Sequence, residues 1–192
     1  MFMIQSKEDY LFYLKEDAKV NIHTDHCDSL RMWANIWYGN ENYCFLRYLR
    51  ALRKYEYVLN CTNGFWGKIR TLYAKIVWHR IGAKYGIIIK PNIVGYGLRM
   101  PHLVGGAILH CKSVGNYCTI NSGVIVGTNN KGGLAVIGDH VDLSVGCKII
   151  GDVTIGDNVI VAPNSVVVKN IPENCIVSGV PAVIIKQNGK KV

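Results

Sequence analysis

The sequence has few charged residues, no CxxC cysteine pair and no long apolar run. Charged residues make up 18% of the 192 residues and hydrophobic residues 49%, a balance that excludes disorder as the overall state. The seven cysteines follow no regular spacing, which argues against a disulfide scaffold and for reduced thiols. No apolar stretch reaches the roughly 18 residues of a spanning helix, and Lys7, Glu8 and Asp9 interrupt the place where a signal peptide is apolar. We therefore expect a cytoplasmic protein.

Acidic residues are scarce. There are 13 of them against 22 Lys and Arg, which gives a net charge of +9 and a pI near 9.2. A basic balance favours anionic partners such as phosphate-bearing cofactors, nucleic acid or acidic membranes. No nucleic-acid-binding motif is present, so a phosphate-rich cofactor accounts for the charge without DNA or RNA.

The composition changes near residue 86. All four Trp and all four Phe precede it, whereas sixteen of the twenty Gly lie from Gly86 onward. We expect a helical segment over 1–85, a second architecture over 86–186 and a tail over 187–192. Helical periodicity marks 8–18, 44–59 and 65–84, while the stretch from His23 to Asn42 is less clear. The expected buried residues of the last two helices are Phe45, Leu46, Leu49, Leu52 and Tyr55, then Ile69, Leu72, Ile76 and Trp78.

An apolar residue recurs every six positions in the second part. The column runs Ile137, Leu143, Ile149, Ile155, Val161, Val167, and an earlier run contains Val114, Ile120 and Val126. A second column, four residues further on, holds Cys118, Val124, Val141, Cys147, Val153, Val159 and Ser165. A third holds the turn-tolerant Gly146, Asp152, Asn158, Asn164 and Asn170. Each unit of six predicts a short strand and a bend. Three units then close a triangular coil of 18 residues, in which Leu143 stacks under Val161 and Ile149 under Val167.

The segment VIGDHVDLSVGCKIIGDVTIGDNVIVAPNSVVVKNIPENCIVSGVPAVIIK resembles the hexapeptide-repeat acyltransferases. Within that family the chain is similar to the serine acetyltransferase branch and to its relatives in capsule and exopolysaccharide loci. The resemblance covers Gly86 to about Lys186. It implies a mainly β fold, a left-handed parallel β-helix preceded by the helical segment, although the usual crossover rule favours right-handed connections. It also implies an acyltransferase that uses acetyl-CoA.

The six-residue step breaks in two places, where function is expected. From Val126 to Ile137 eleven residues stand in place of twelve, and GTNNKGGLAV has the composition of a loop. In related enzymes such a loop reaches a neighbouring subunit and covers the cofactor. The second break lies in MPHLVGGAILHCKSV, where eight residues instead of six separate Gly106 from Val114.

The second break contains His102. Acyl transfer to a hydroxyl needs a base within hydrogen-bond reach of that hydroxyl. The stretch GLRMPHLVGGAIL resembles the one that holds the family's catalytic histidine, so the resemblance implies that His102 is this base. His110 could be a second site residue, whereas turn chemistry explains His140.

Two positions depart from the serine acetyltransferase pattern. Ile88 stands where the family has the aspartate that orients the histidine, and Leu134 lies near the place of its second site histidine. His102 is therefore oriented by a backbone carbonyl or by another acid, which the sequence does not identify. The absence of this aspartate and this histidine favours a saccharide hydroxyl as acceptor, in polysaccharide biosynthesis. Serine is the alternative acceptor.

The resemblance implies acetyl-CoA as co-substrate and no metal. The pantetheine arm would run along the prism past one column of successive coils. The expected cofactor contacts are Gly127, Lys131, Ser144, Val145, Ala162, Pro163, Lys169 and Lys186. Lys169 and Lys186 would meet phosphates as point charges, although solvated surface lysines are the alternative.

Two further function classes stay open. A γ-type carbonic anhydrase would need three converging histidines on zinc, and His102, His110 and His140 lack the close paired spacing of that family. A non-catalytic trimeric scaffold is the other. The flat faces of a prism predict a homotrimer with sites between subunits. We also expect the helical segment to cap the open first coil.

Overall fold

The computed structural model describes residues 3–24, 29–129 and 132–192. Within these ranges four helices come first: α1 (Lys7–Ile22), α2 (Ser29–Trp37), α3 (Glu41–Cys61) and α4 (Gly64–Tyr85). The Ser6 side chain caps α1 by accepting the N–H of Asp9, and Asn40 caps α3 by accepting the N–H of Asn42. The predicted helical segment is confirmed, and the less clear stretch contains α2.

Short strands follow the helices. They are β1 (Ile87–Ile89), β2 (Ala107–Leu109), β3 (Ser113–Val114), β4 (Thr119–Ile120), β5 (Val124–Gly127), β6 (Val136–Ile137), β7 (Asp142–Leu143), β8 (Lys148–Ile150), β9 (Thr154–Ile155), β10 (Ile160–Val161), β11 (Val166–Val167), β12 (Cys175–Gly179), β13 (Ala182–Gln187) and β14 (Lys190–Lys191). Sheet A has the order β1-β2-β5-β8-β11, sheet B the order β3-β6-β9, and sheet C the order β14-β13-β12-β10-β7-β4.

The strands wind into the predicted triangular coil. Leu143 pairs with Val161 and Ile149 with Val167, each partner 18 residues further on, in parallel register. The chain passes from sheet A to B to C in every turn, and the two apolar columns fill the interior of the prism. Ser165 is the polar member of the second column, and its hydroxyl accepts the N–H of Gly179.

Three edges join the sheets, and they carry the corner residues. The C–A edge contains 101–106, 121–123, 144–147 and 162–165. The A–B edge contains 110–112, 128–129, 132–135, 151–153 and 168–170. The B–C edge contains 115–118, 138–141 and 156–159. Gly146, Asn158 and Asn164 have the expected positive φ, as does His140. Two corner assignments were wrong. Gly151 takes the positive φ in place of Asp152, and Asn170 instead accepts the N–H of Thr154.

Pairing also locates the two breaks. Val126 pairs with Ile149, 23 residues further on, so this turn has five residues more than an 18-residue coil. The eleven residues from Val126 to Ile137 therefore form one side plus a loop, not two shortened sides. The first coil has 20 residues from Ile89 to Leu109 and the next has 17 from Leu109 to Val126. Since Arg99 still bridges to Thr119, the additional residues lie in 101–106, upstream of the break expected after Gly106.

Helix α3 closes the open end of the coil. Phe45, Tyr48, Leu49 and Leu52 share one buried cluster with the inward residues of the first coil. The fully buried Arg53 donates to the carbonyl oxygens of Val94 and Gly95 and pairs with Asp17 and Glu56. The predicted capping by the helical segment is confirmed. The helices and the first coil share one hydrophobic core. Residue 86 therefore marks the change from helices to strands, but the core continues across it.

Two further expectations, for residues 187–192 and for the buried face of α4, were wrong. Residues 187–192 do not form a free tail, because β13 turns back antiparallel on β12 and β14 pairs with β13. On α4, Trp78 is partly buried and donates to the Tyr48 hydroxyl. Ile69, Leu72 and Ile76, however, are 44%, 60% and 47% exposed.

Candidate active site

His102 lies on the C–A edge of the first coil, in the corner 101–106. Leu103 anchors this corner in the core and accepts the N–H of Gly106 at 3.0 Å. Gly106 has φ +58°, and a Cβ there would lie 2.2 Å from the carbonyl oxygen of Gly86, so only glycine fits. The corner is thus held at both sides, while the His102 side chain is 70% exposed. An anchored backbone corner therefore presents the His102 imidazole to solvent.

Glu41 is the acid beside His102. It is the first residue of α3, and its Oε2 lies 3.4 Å from His102 Nδ1 while accepting the N–H of Leu103 at 3.2 Å. The N-terminus of a helix favours a carboxylate. Catalytic contacts of this kind are often long before substrate binds. A carboxylate at Nδ1 leaves Nε2 free to accept a proton.

The sequence offered no way to find Glu41. Residues 41 and 103 are 62 positions apart, and the acid comes from a helix instead of the strand position of Ile88. The visible signal was only an acidic residue at a helix start after Asn40, which ordinary capping explains.

A pocket opens beside Glu41, between the helices and the inserted corner. Its volume is about 410 Å³, and it is lined by Ile36, Gly39, Glu41, Cys44, Lys84, Tyr85, Leu103, Val104 and Gly105. Lys84 is the cation in this lining, at the end of α4. The pocket has the size of a small-ligand site, with one ammonium and one carboxylate on its wall.

Four of the predicted cofactor contacts share the edge of His102. Ser144 and Val145 form its corner one turn above 121–123, and Ala162 and Pro163 form the next corner. Backbone hydrogen bonds stack these corners, from Gly146 N–H to Ser122 O and from Asn164 N–H to Val145 O, each at 2.9 Å. A long ligand along this edge would therefore contact successive corners and end near His102.

The other predicted contacts lie elsewhere on the prism. Gly127 is the last residue of β5, next to the A–B edge, and Lys169 lies two corners further along that edge, in 168–170. Lys186 is in β13 of sheet C, paired with Ile176, and Lys131 lies outside the described residues. One protomer therefore does not bring the seven described contacts together.

The other histidines of the coil sit on different edges. His110 follows β2 on the A–B edge, and His140 stacks on Tyr117 at the B–C edge with ring centroids 5.4 Å apart. His102, His110 and His140 therefore do not converge within a protomer. Across the described ranges, no three His, Cys, Asp or Glu side chains are grouped to hold a metal ion.

Comparison with known proteins adds the family context. Residues 134–169 match the family model "Bacterial transferase hexapeptide (six repeats)". A serine acetyltransferase of Synechococcus elongatus is 33% identical over 111 residues, which are 56% of this chain and 46% of that protein. The chain thus spans about half the length of the curated relatives it matches.

Solved structures extend the likeness to the helices. Neisseria gonorrhoeae serine acetyltransferase, in complex with serine, is 26% identical with a TM-score of 0.67, covering 94% of this chain and 71% of that one. A serine acetyltransferase in complex with CoA, 21% identical with a TM-score of 0.62 and covering 94% and 71%, shares the fold. The coil is accordingly a left-handed β-helix, as expected. The chain carries the hexapeptide-repeat fold of bacterial transferases, and 111 of its residues are similar in sequence to serine acetyltransferases.

Proposed function

We propose that the chain is an acetyl-CoA-dependent O-acetyltransferase with His102 as its general base. The observation that carries the proposal is the exposed imidazole on an anchored, inserted corner, with the Glu41 carboxylate at Nδ1. It stands at the head of the edge that holds Ser144, Val145, Ala162 and Pro163. That edge offers a ligand a stacked row of backbone groups, as a long pantetheine arm requires.

In the proposed mechanism each group has one task. Nε2 of His102 takes the proton of the acceptor hydroxyl as its oxygen attacks the thioester carbonyl carbon. The carbon–sulfur bond then breaks, and the imidazolium returns the proton to the departing thiolate, so the products are an ester and free CoA. Glu41 orients the ring and stabilises the positive charge that the imidazole gains. It acts through His102 and is a positioning residue.

L-serine is the acceptor that the relatives support, because the homologues are named serine acetyltransferases and one neighbour holds serine. The pocket at Glu41 also fits it in size, and Lys84 would pair with its carboxylate. The earlier preference for a saccharide has no such support. One observation still favours an acceptor molecule with fewer charges than serine. Ile88, which is 58% exposed, and Leu134 are apolar where the serine acetyltransferase branch has an acid and a histidine.

The site would be completed by a neighbour in a homotrimer. Ile88 and Ile108 point outward on sheet A, exposed by 58% and 39%. This apolar strip lies between the two edges that carry the predicted cofactor contacts. Packing it against a second copy would place the A–B edge loop of one protomer beside the C–A edge of the next.

The test measures CoA thiol release with L-serine and with a panel of sugars as acceptors. His102→Ala should lower turnover by roughly 10² to 10⁴-fold, the usual contribution of a positioned base. Affinity for acetyl-CoA and the melting temperature should change little. His110→Ala, on another edge, is the matched control. Full activity in His102→Ala would contradict the mechanism. A sugar preferred to serine would keep the mechanism and change the acceptor.

A further inference from the structure

The outer face of α4 carries a continuous apolar patch. It consists of Phe65, Trp66, Ile69, Leu72, Tyr73 and Ile76, each between 44% and 72% exposed. Steps of four, three and four residues place Phe65, Ile69, Leu72 and Ile76 on one helical stripe. The buried residues of the helix, Gly67, Ala74 and Gly82, lie on the opposite side, toward α3 and the coil. The patch is therefore not needed for packing within the chain, and an exposed apolar patch with a polar rim marks an interaction surface.

Basic side chains border this patch on both sides. Helix α4 contains Lys68, Arg70, Lys75, Arg80 and Lys84 and no acidic residue. Within the part of the chain that the structure describes, Lys68, Arg70, Lys75 and Arg80 are in no ion pair. The surface combines an apolar centre containing Trp and Tyr with a rim of unpaired positive charge.

The charge pattern decides between the candidate occupants. A second copy docked through the same face would set its basic rim against an identical basic rim, with no acid on either side. A nucleic acid would match the charge but gain nothing from Ile69, Leu72 and Ile76. An anionic bilayer matches both parts, because acyl chains accept the apolar centre and lipid phosphates pair with the rim.

We propose that α4 docks this protein on anionic membrane surfaces. The helix lies in the plane of the headgroups, with the side chains of Phe65, Trp66 and Ile69 inserted. None of the helices in the described ranges is long and apolar enough to cross a bilayer, so the contact is peripheral. It is independent of the proposed acetyl transfer. Trp66 and the pocket residue Lys84 are 18 residues apart, about 27 Å along the helix, so the inserted end is distant from the pocket.

The experiment is co-sedimentation of the full chain with vesicles. We expect binding to vesicles of phosphatidylcholine with about 30% phosphatidylserine, weak binding to phosphatidylcholine alone, and release as salt is raised. Since each basic residue near an anionic surface contributes roughly fivefold, Lys68→Gln, Arg70→Gln and Lys75→Gln together should weaken binding about 100-fold. Phe65→Ser with Trp66→Ser should weaken it at least about tenfold.

The matched control removes the same charge elsewhere. Lys7→Gln, Lys190→Gln and Lys191→Gln also lower the net charge by three, at sites away from α4, and should bind within about threefold of the unmodified chain. Equal loss in the control would show general attraction and overturn the assignment to α4. No binding to anionic vesicles at low salt would overturn the proposal. So would α4 variants that alter oligomer size but bind vesicles normally. Melting temperatures establish that each variant is folded.

Discussion

Removing the Glu41 carboxylate should slow turnover without weakening acetyl-CoA binding. The carboxylate lies 3.4 Å from His102 Nδ1, with the His and Glu side chains 70% and 35% exposed. A hydrogen bond from the imidazolium to this carboxylate, formed as the ring gains its proton, would be worth about 1.5–3 kcal/mol, and the length and exposure of the contact reduce this to roughly 1–2 kcal/mol. Since about 1.4 kcal/mol is tenfold in rate, Glu41→Ala should lower kcat by roughly 5- to 30-fold.

The variants separate positioning from structure. Glu41→Gln keeps an acceptor for the Leu103 N–H and loses only the charge, so it should fall between the unmodified chain and Glu41→Ala. Glu8→Gln, in the first turn of α1, is the matched control and should stay fully active. In a His102→Ala background, Glu41→Ala should cost nothing further, because the carboxylate acts through the ring. Steady-state kcat and KM for both substrates provide the readout. Equal, additive losses in the presence and absence of His102 would refute the reasoning.

Three further predictions concern the scaffold. Arg53→Met should lower the unfolding free energy in urea by about 3–5 kcal/mol, since it strands two buried carboxylates. Burial already raises the pKa of Asp17 and Glu56, so the folded variant binds protons more tightly than the unfolded chain. Its unfolding free energy should therefore fall further as pH rises from about 4 to 7. An unfolding free energy that rises over this range would contradict the assignment. Burial raises the thiol pKa of Cys111, Cys118 and Cys147 to about 12, so iodoacetamide at pH 8 should modify them only after unfolding, as mass spectrometry would show. Ile108→Arg should dissociate the expected trimer in light scattering, whereas the exposed Val183→Arg on β13 should not; a trimer unaffected by Ile108→Arg would place the interface on another face.

The coil could be predicted in detail because its physics is local and periodic. A step of six residues is visible in one sequence, and the pairing of Leu143 with Val161 follows from three such steps. His102 was proposed from a break in that period and from a resemblance around it. Both are features of a short stretch of chain.

What the sequence could not show depended on contacts between distant segments. Glu41 reaches His102 from a helix 62 residues upstream of Leu103, and no pattern in either stretch records this. The exposure of Ile69, Leu72 and Ile76 was missed because periodicity identifies an apolar stripe but not whether a partner covers it. The position of Lys186 could not be predicted either, because the antiparallel return of β13 carries it onto sheet C.

The two ends of the stacked coil have a consequence for aggregation. Parallel coils present open rows of backbone N–H and C=O groups at each end, and such rows can join end to end into fibres. Helix α3 covers one end, with Arg53 occupying the carbonyls of Val94 and Gly95. At the other end β13 reverses direction, and β14 leaves an edge of two residues, Lys190 and Lys191. A short, charged edge repels its own copy. Helix α3 at one end and the short, charged edge of sheet C at the other therefore reduce the pairing of copies end to end.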